Sequence, residues 1–350
     1  MSRSVRTIPI PPGGFREIAV LRLSSLGDIV LTLPSVHALH RAFPEARIHY
    51  WVKEEFSDLV RFDPAVAHVR ALELEGQRLE DLISMSAELE DADLIVDLHD
   101  NLRTRVLTFR QKKPVLRSPS YRLRRWAQVR ARALRPRKPP TVLERHAEAL
   151  RSIGIVPSDP PRVVAGEQAD AWATAWLAMW TPDQAPVAMI PGAAHATKRW
   201  PESHWLALHD RLRAAGHRLV YFGLESDRSL FPALATKVAL DAQSRWCMER
   251  LSRVAALLSR CATAVAGDTG LMHVAAARGL RVVAIFGSTA PELGFAPAGE
   301  GHAVLCRHEP CQPCTLHGRE RCPRGHFRCM VQLEPDSVAA AALERTSSAG

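Results

Sequence analysis

Apolar runs of two lengths alternate along the first hundred residues. EIAVLRL, ARIHYWV and ADLIVDLHD are short and bounded by polar or turn residues, which predicts strands. ADLIVDLHD is apolar until its last residues, as a buried parallel strand would be. DIVLTLPSVHALHRAF spaces its apolar residues at a helical period and predicts one helix after the first strand. Segment 110–140 is broken by Pro114, Pro119, Pro136, Pro139 and Pro140 and predicts helices and mobile loops, after which ERHAEALRSIG predicts a closing helix. VPSDPPRVVAG, residues 156–166, predicts a domain boundary. Beyond it the rhythm restarts: the strand PVAMI, the helix SHWLALHDRLRAAG, the strand HRLVYFG, a helix, the strand CATAVAG, the helix TGLMHVAAARG and the strand RVVAIFG. Strand–helix alternation of this kind implies doubly wound parallel sheets. The expected fold class is α/β, with two Rossmann-like domains, residues 1–160 and 161–350, facing a central cleft, and a last helix that packs back on the first domain. Ligands of such sheets bind outside the carboxyl ends of the strands, so strand-end loops with unusual chemistry are expected to face that cleft.

Composition narrows the class. The 350 residues are 47% hydrophobic and 24% charged, a globular balance. The opening MSRSVRTIPIPPGG lacks the apolar core of a signal peptide, and no apolar run approaches the roughly 18 residues that span a bilayer, so a soluble cytoplasmic protein is expected. The net charge of +9 is local: residues 103–145 hold fifteen Lys or Arg against the single acid Glu144, leaving the remainder net acidic. Such a patch suits a polyanion, with phosphorylated lipid and nucleic acid both qualifying, or it is a solvated face.

Three strand-end loops carry candidate chemistry. The first, SSLGD, sets Asp28 at the mouth of a strand-to-helix turn, where it either caps the helix or acts as a general base on an acceptor hydroxyl. Ser24 and Ser25 lie beside it, to orient the acid or bind ligand. The second, PGAAHATKRWP, supplies Lys198 as a point charge for phosphate, with Trp200 expected in the core. The third, GDTGLMH, opens a helix at Thr269, Gly270 and Leu271, whose amides suit an anion, with Asp268 as its expected N-cap. His273, in the first turn, either faces that anion or is an ordinary core histidine. Amides and a lysine at strand ends of one domain suggest a pyrophosphate, and hence a nucleotide-linked substrate. Asp91-Ala-Asp93 precedes a strand instead of ending one and is not read as a metal–sugar site.

Taken together, RLSSLGDIVLTLPSVHALHRAFPEARI, DLHDNLRTRVL, PGAAHATKRWP and AGDTGLMHVAAARGLRVVAIFGST resemble glycosyltransferase family 9, in the right order from about Ile18 to Val331. The resemblance implies a GT-B fold, with the acceptor on the N-terminal domain and the sugar nucleotide on the C-terminal one. It implies inverting transfer of heptose from ADP-heptose to the lipopolysaccharide inner core, with no cofactor required. Asp28 corresponds to the family's proposed base, and Ser24, Ser25 and Gly27 to its acceptor side. Thr197, Lys198, Asp268, Thr269, Gly270 and His273 correspond to donor contacts and Glu225 falls near the ribose, while Leu271 is a donor candidate from its helix-opening amide. With a phosphorylated lipid A–core acceptor at the inner face of the inner membrane, Arg103, Arg105, Arg122, Arg124 and Arg125 become acceptor candidates, and the partners are that lipid and the membrane surface, not nucleic acid.

Four of the seven cysteines cluster as Cys311, Cys314, Cys322 and Cys329. Their spacing suits either structural zinc, with His308, His317 and His326 as alternates, or a thiol-lined packed loop. Two other functions compete with transfer. A polyanion-binding protein would use segment 103–145 on nucleic acid, but only Tyr121 and Trp126 are there to stack on bases. A nucleotide-sugar-modifying Rossmann enzyme would want G-x-G-x-x-G after the first strand, where SSLGD stands.

Overall fold

The computed structural model describes residues 7–73, 79–131, 134, 138–180 and 184–347. Two compact units divide the chain: residues 1–120 with 140–164, and 121–139 with 165–350. A single cut near residue 160 therefore does not describe it, because Tyr121–Pro139 clusters with the second unit.

The first unit holds a five-stranded parallel sheet of β1 (Glu17–Leu21), β2 (Arg47–Lys53), β3 (His68–Leu72), β4 (Leu94–Asp97) and β5 (Val115–Arg117), in the order β3-β2-β1-β4-β5. The second holds six parallel strands: β6 (Val187–Ile190), β7 (Leu219–Phe222), β8 (Ser244–Cys247), β9 (Thr263–Gly267), β10 (Val282–Phe286) and β11 (Ala303–Cys306), in the order β11-β10-β9-β6-β7-β8. Both sheets reverse their winding between their first and fourth strands. Loops on either side of a reversal diverge and leave a crevice at the strand carboxyl ends. The reversals lie at β1/β4 and β6/β9.

Every expected strand is present. The four that were not expected, β3, β5, β8 and β11, are the four sheet edges. Central strands such as β4, β6 and β7 are buried at every position, whereas β3 and β11 alternate or stay half-exposed. An edge strand has a sheet neighbour on one side only and tolerates polar residues, so HVRAL and SRWC lack the apolar signature. β5 replaces part of the loop expected over 110–140. The single helix expected from Asp28 to Phe43 is two, Leu26–Val30 and Leu33–Ala42, with Pro34 in the first turn of the second. Proline is favoured there and cannot continue a preceding helix.

The second unit's core packs Met189, Tyr221, Val265 and Ile285 of the sheet against Trp200, Trp205, Leu208 and Leu212. Trp200 is buried as expected, its indole N–H donating to the Leu333 carbonyl at 3.0 Å. The last helix, Pro335–Ser347, adds Val338, Ala339 and Ala342 to this same core, against the expectation that it returns to the first domain. The contrast between centre and edge is measurable by urea denaturation. Ile95→Ala, at a fully buried position in β4, should cost about 2–5 kcal/mol, while Val304→Ala, on the half-exposed edge strand β11, should cost under about 1 kcal/mol.

Candidate active site

At the β1/β4 reversal the chain leaves β1 and starts the helix Leu26–Val30, with Ser25 as its N-cap residue. Asp28 is therefore not the cap. It sits in the first turn, and its carboxylate is held from two sides through one oxygen. Arg22 Nη2 lies 2.8 Å from Oδ2, and Ser25 Oγ donates to the same Oδ2 at 2.8 Å. Arg22 is in turn anchored by Nη1, which donates to the Leu98 carbonyl just past β4 at 2.6 Å. A charged, doubly tethered guanidinium thus bridges the two loops that part at the reversal.

The histidines around this pair are neutral. Burial, reinforced by the Arg22 charge, lowers the His99 pKa to about 3. The same two causes, in the same order, put His146 well below its usual range. The cationic character facing Asp28 is therefore the arginine's. His99 Nδ1 accepts the backbone N–H of Leu23 at 3.2 Å, and His146 Nδ1 lies 3.1 Å from Ser118 Oγ. Asp97, the last residue of β4, accepts the amides of His99 and Asp100 at 3.1 and 2.9 Å and pairs with Arg117, while burial raises its pKa.

Of the acceptor candidates, Ser24, Ser25 and Gly27 share the Asp28 turn. Arg103 and Arg105 are exposed on the helix Leu102–Leu107, and Arg105 pairs with Asp100 at 2.8 Å. Arg122, Arg124 and Arg125 lie on the helix Arg122–Arg130 of the second unit, Arg124 stacked 5.0 Å from the Tyr121 ring centroid and Arg125 with its Nε buried. The five arginines are thus divided between the two units. Arg132, Arg135 and Arg137 of the basic segment lie outside the described residues.

At the β6/β9 reversal a second acid–cation pair forms. Lys198 Nζ lies 2.8 Å from Asp268 Oδ2, and Thr289 Oγ1 donates to the same oxygen at 2.7 Å. Asp268 is therefore a partner of the lysine and not the expected N-cap; Thr269 holds the cap position of the helix Gly270–Ala277 with an extended backbone. The approach of the two loops explains Gly267: a Cβ there would lie 3.1 Å from the Lys198 carbonyl oxygen. Gly270 and Leu271 open the helix and His273 is buried in its first turn. Glu225 is exposed at the start of the short helix Glu225–Ser229, 3.4 Å from Arg228, and has no described contact with the lysine pair. Its neighbour Asp227 makes the close approach to the β6 loop instead, since a Cβ on Gly192 would fall 2.3 Å from Asp227 Oδ1.

Thr197 is 2% exposed, and its hydroxyl is engaged within the protein. Its Oγ1 accepts from Ser288 Oγ at 2.9 Å and from the Arg319 N–H at 2.8 Å, and its own N–H donates to the Arg319 carbonyl at 3.0 Å. The cysteine-rich segment is thereby strapped onto the lysine loop. Cys311, Cys314, Cys322 and Cys329 line one recess with Thr197, Ser288 and His326. The thiols are free, and Cys329 is raised to about 12 by burial and the neighbouring sulfurs. Among the described residues no three His, Cys, Asp or Glu side chains converge to hold a metal ion, so the zinc expectation finds no ligand set here. Two of the sulfurs have separate partners: Cys314 Sγ donates to the Ser288 carbonyl at 3.6 Å, and Cys311 Sγ lies 3.8 Å from His326 Nε2.

Sequence reasoning passed over Arg22, Ser288, Thr289 and Arg319. A signal existed for three of them. Arg22 opens the stretch RLSSLGD, and Ser288 and Thr289 follow β10 as Gly-Ser-Thr at a strand carboxyl end. Arg319 acts through its backbone, for which side-chain chemistry gives no sign.

Comparison with known proteins supplies the family. Residues 84–322 match the model of glycosyltransferase family 9 (heptosyltransferase). The chain is 28% identical to lipopolysaccharide heptosyltransferase 1 of Pseudomonas aeruginosa, over 92% of this chain and 96% of that one. The fold matches a family 9 glycosyltransferase of Veillonella parvula with a TM-score of 0.78 at 20% identity, over 95% and 98% of the two chains. It matches the Escherichia coli ADP-heptose lipopolysaccharide heptosyltransferase II with a TM-score of 0.72 at 18% identity, over 95% and 99%. The pair of parallel sheets is thus the GT-B fold of these enzymes, and the chain belongs to glycosyltransferase family 9.

Proposed function

We propose that this enzyme transfers heptose from ADP-heptose to the inner core of lipopolysaccharide with inversion, using Asp28 as general base. The observation that carries the reading is the acid held at the β1/β4 reversal: a carboxylate paired with Arg22 and oriented by Ser25 at a strand carboxyl end. The β6/β9 reversal, with Lys198 beside a helix opening, suits the leaving diphosphate. The likeness to relatives named for ADP-heptose and lipopolysaccharide supports the choice of donor and acceptor.

In the proposed step an acceptor hydroxyl gives its proton to the Asp28 carboxylate. Its oxygen bonds to the anomeric carbon from the face opposite the leaving group. The bond from that carbon to the diphosphate oxygen breaks, and ADP departs with the electron pair. Negative charge grows on that oxygen, where a fixed cation and helix amides lower the barrier most. Lys198 meets it, shared with Asp268, and no cofactor is invoked. Arg22 is a positioning residue: it orients the base through the same oxygen that Ser25 holds. Thr197 holds the lysine loop to the segment around Ser288 and Arg319. The remaining donor candidates, Glu225, Thr269, Gly270, Leu271 and His273, keep their proposed place on the nucleotide-sugar side.

No helix among the described residues is long and apolar enough to cross a membrane. The proposed site of action is the cytoplasmic face of the inner membrane, where a lipid-linked acceptor is presented.

Asp28→Asn should lower kcat on the order of 10²–10⁴-fold, the usual worth of general base catalysis, while calorimetry shows ADP binding unchanged. Near-normal turnover would remove the base assignment. Arg22→Gln should lower kcat less than Asp28→Asn and cause no further loss when added to it, because residues that act through one another are not additive; a multiplicative double mutant would give Arg22 a separate role. Lys198→Ala should weaken ADP binding by roughly 10–100-fold, the worth of a hydrogen bond to a charged group, and unchanged affinity would move the diphosphate elsewhere.

A further inference from the structure

We infer that the helix Arg122–Arg130 is a docking surface for an anionic lipid bilayer, with Leu123 and Trp126 entering the interface and the surrounding arginines meeting lipid phosphates. From Asn101 to Leu143 the chain has fourteen Lys or Arg and no Asp or Glu. Charge alone would equally describe a solvated face. What a solvated face does not require is exposed apolar bulk in the same stretch. Sixteen large hydrophobic side chains are exposed among the described residues, and five fall between residues 102 and 134. They are Leu102 (69%), Phe109 (86%), Leu123 (84%), Trp126 (57%) and Leu134 (83%). About a third of the exposed apolar bulk thus sits in about a tenth of the chain, interleaved with its densest positive charge. Leu102 and Phe109 belong to the first unit and Leu123, Trp126 and Leu134 to the second, and apolar side chains exposed along the second unit's basic segment mark a place where something apolar is met.

The helix shows how the two are combined. Leu123, Trp126 and Arg130 are spaced i, i+3, i+7 and share one face, all three exposed. Val129 is buried on another side and ties the helix to the protein. Arg122 is exposed beside this face, and Arg124 is stacked on Tyr121. An indole and a leucine flanked by guanidinium groups match the depth profile of a bilayer surface, hydrocarbon below and phosphate above. The four arginines and missing acids of this nine-residue helix make the electrostatic complement of an anionic leaflet. Nucleic acid would use the cations but has no place for Leu123 and Leu134, since strand-binding surfaces stack bases on aromatic rings. The inference extends the proposed function only in taking the acceptor to be lipid-borne, and its test reads binding, not transfer.

The test is co-sedimentation of the full chain with vesicles of phosphatidylcholine alone or enriched in phosphatidylglycerol. Binding is expected to the anionic vesicles only, and to weaken as salt is raised above about 0.1 M. Leu123→Ser with Trp126→Ser should lower partitioning about tenfold or more, since both lose buried apolar area. Arg122→Gln with Arg130→Gln should lower it too, with ADP affinity unchanged in both variants as a check on folding. Three results would overturn the inference: no vesicle binding, binding unaffected by the Leu123/Trp126 double variant, or displacement from vesicles by single-stranded DNA at lower concentration than lipid requires. The Asp28→Asn protein should bind vesicles like the parent. A chain that binds vesicles through Leu123 and Trp126 yet transfers no heptose keeps the docking surface and loses the proposed reaction.

Discussion

Where the winding order of a parallel sheet reverses, adjacent strands send their following loops to opposite sides, and the crevice between them is the one place at the sheet edge not covered by a crossover. This chain has two such places, β1/β4 and β6/β9, and each holds an ion pair of similar design. One aspartate oxygen receives both a cation and a hydroxyl: Arg22 and Ser25 on Asp28, Lys198 and Thr289 on Asp268. Charge-assisted bonds of this kind fix orientation more strongly than neutral ones. Both pairs are largely screened from water, where removing one member strands the other's charge. The candidate chemistry follows from that constraint more than from any single residue.

Both aspartates are held by a hydroxyl, and the pairs differ in the further tether that Arg22 has to the Leu98 carbonyl. At β1/β4 the carboxylate is the group that the tethered arginine positions. At β6/β9 the aspartate, bonded to Thr289, positions the lysine. The first arrangement suits an acid that must stay ionised to take a proton. The second suits a cation that must stand ready for an anion. The cysteine-rich strap supports the second site from behind, through the backbone of Arg319 and the buried hydroxyl of Thr197. Its thiols line one recess and Cys314 donates to the Ser288 carbonyl, which fits a supporting loop whose worth lies in holding Thr197 and Ser288.

Much of this was legible in the chain itself. The seven strands at the centre of the sheets were visible because burial on both faces demands unbroken apolar runs, and the chemistry-bearing loops were visible because they follow those strands directly. Asp28, Lys198 and Asp268 were singled out as candidates that way. Only the tertiary structure decided the rest. The four edge strands have a sheet neighbour on one side only and carry mixed residues. The place of Tyr121–Pro139 with the second unit and the seat of the last helix depend on which surface buries them. The partners of Asp28 and Asp268 were hidden for a related reason. Arg22 lies six residues before the acid it holds, and Lys198 seventy before its own; an ion pair is set by distance in space, and a one-dimensional pattern records only distance along the chain.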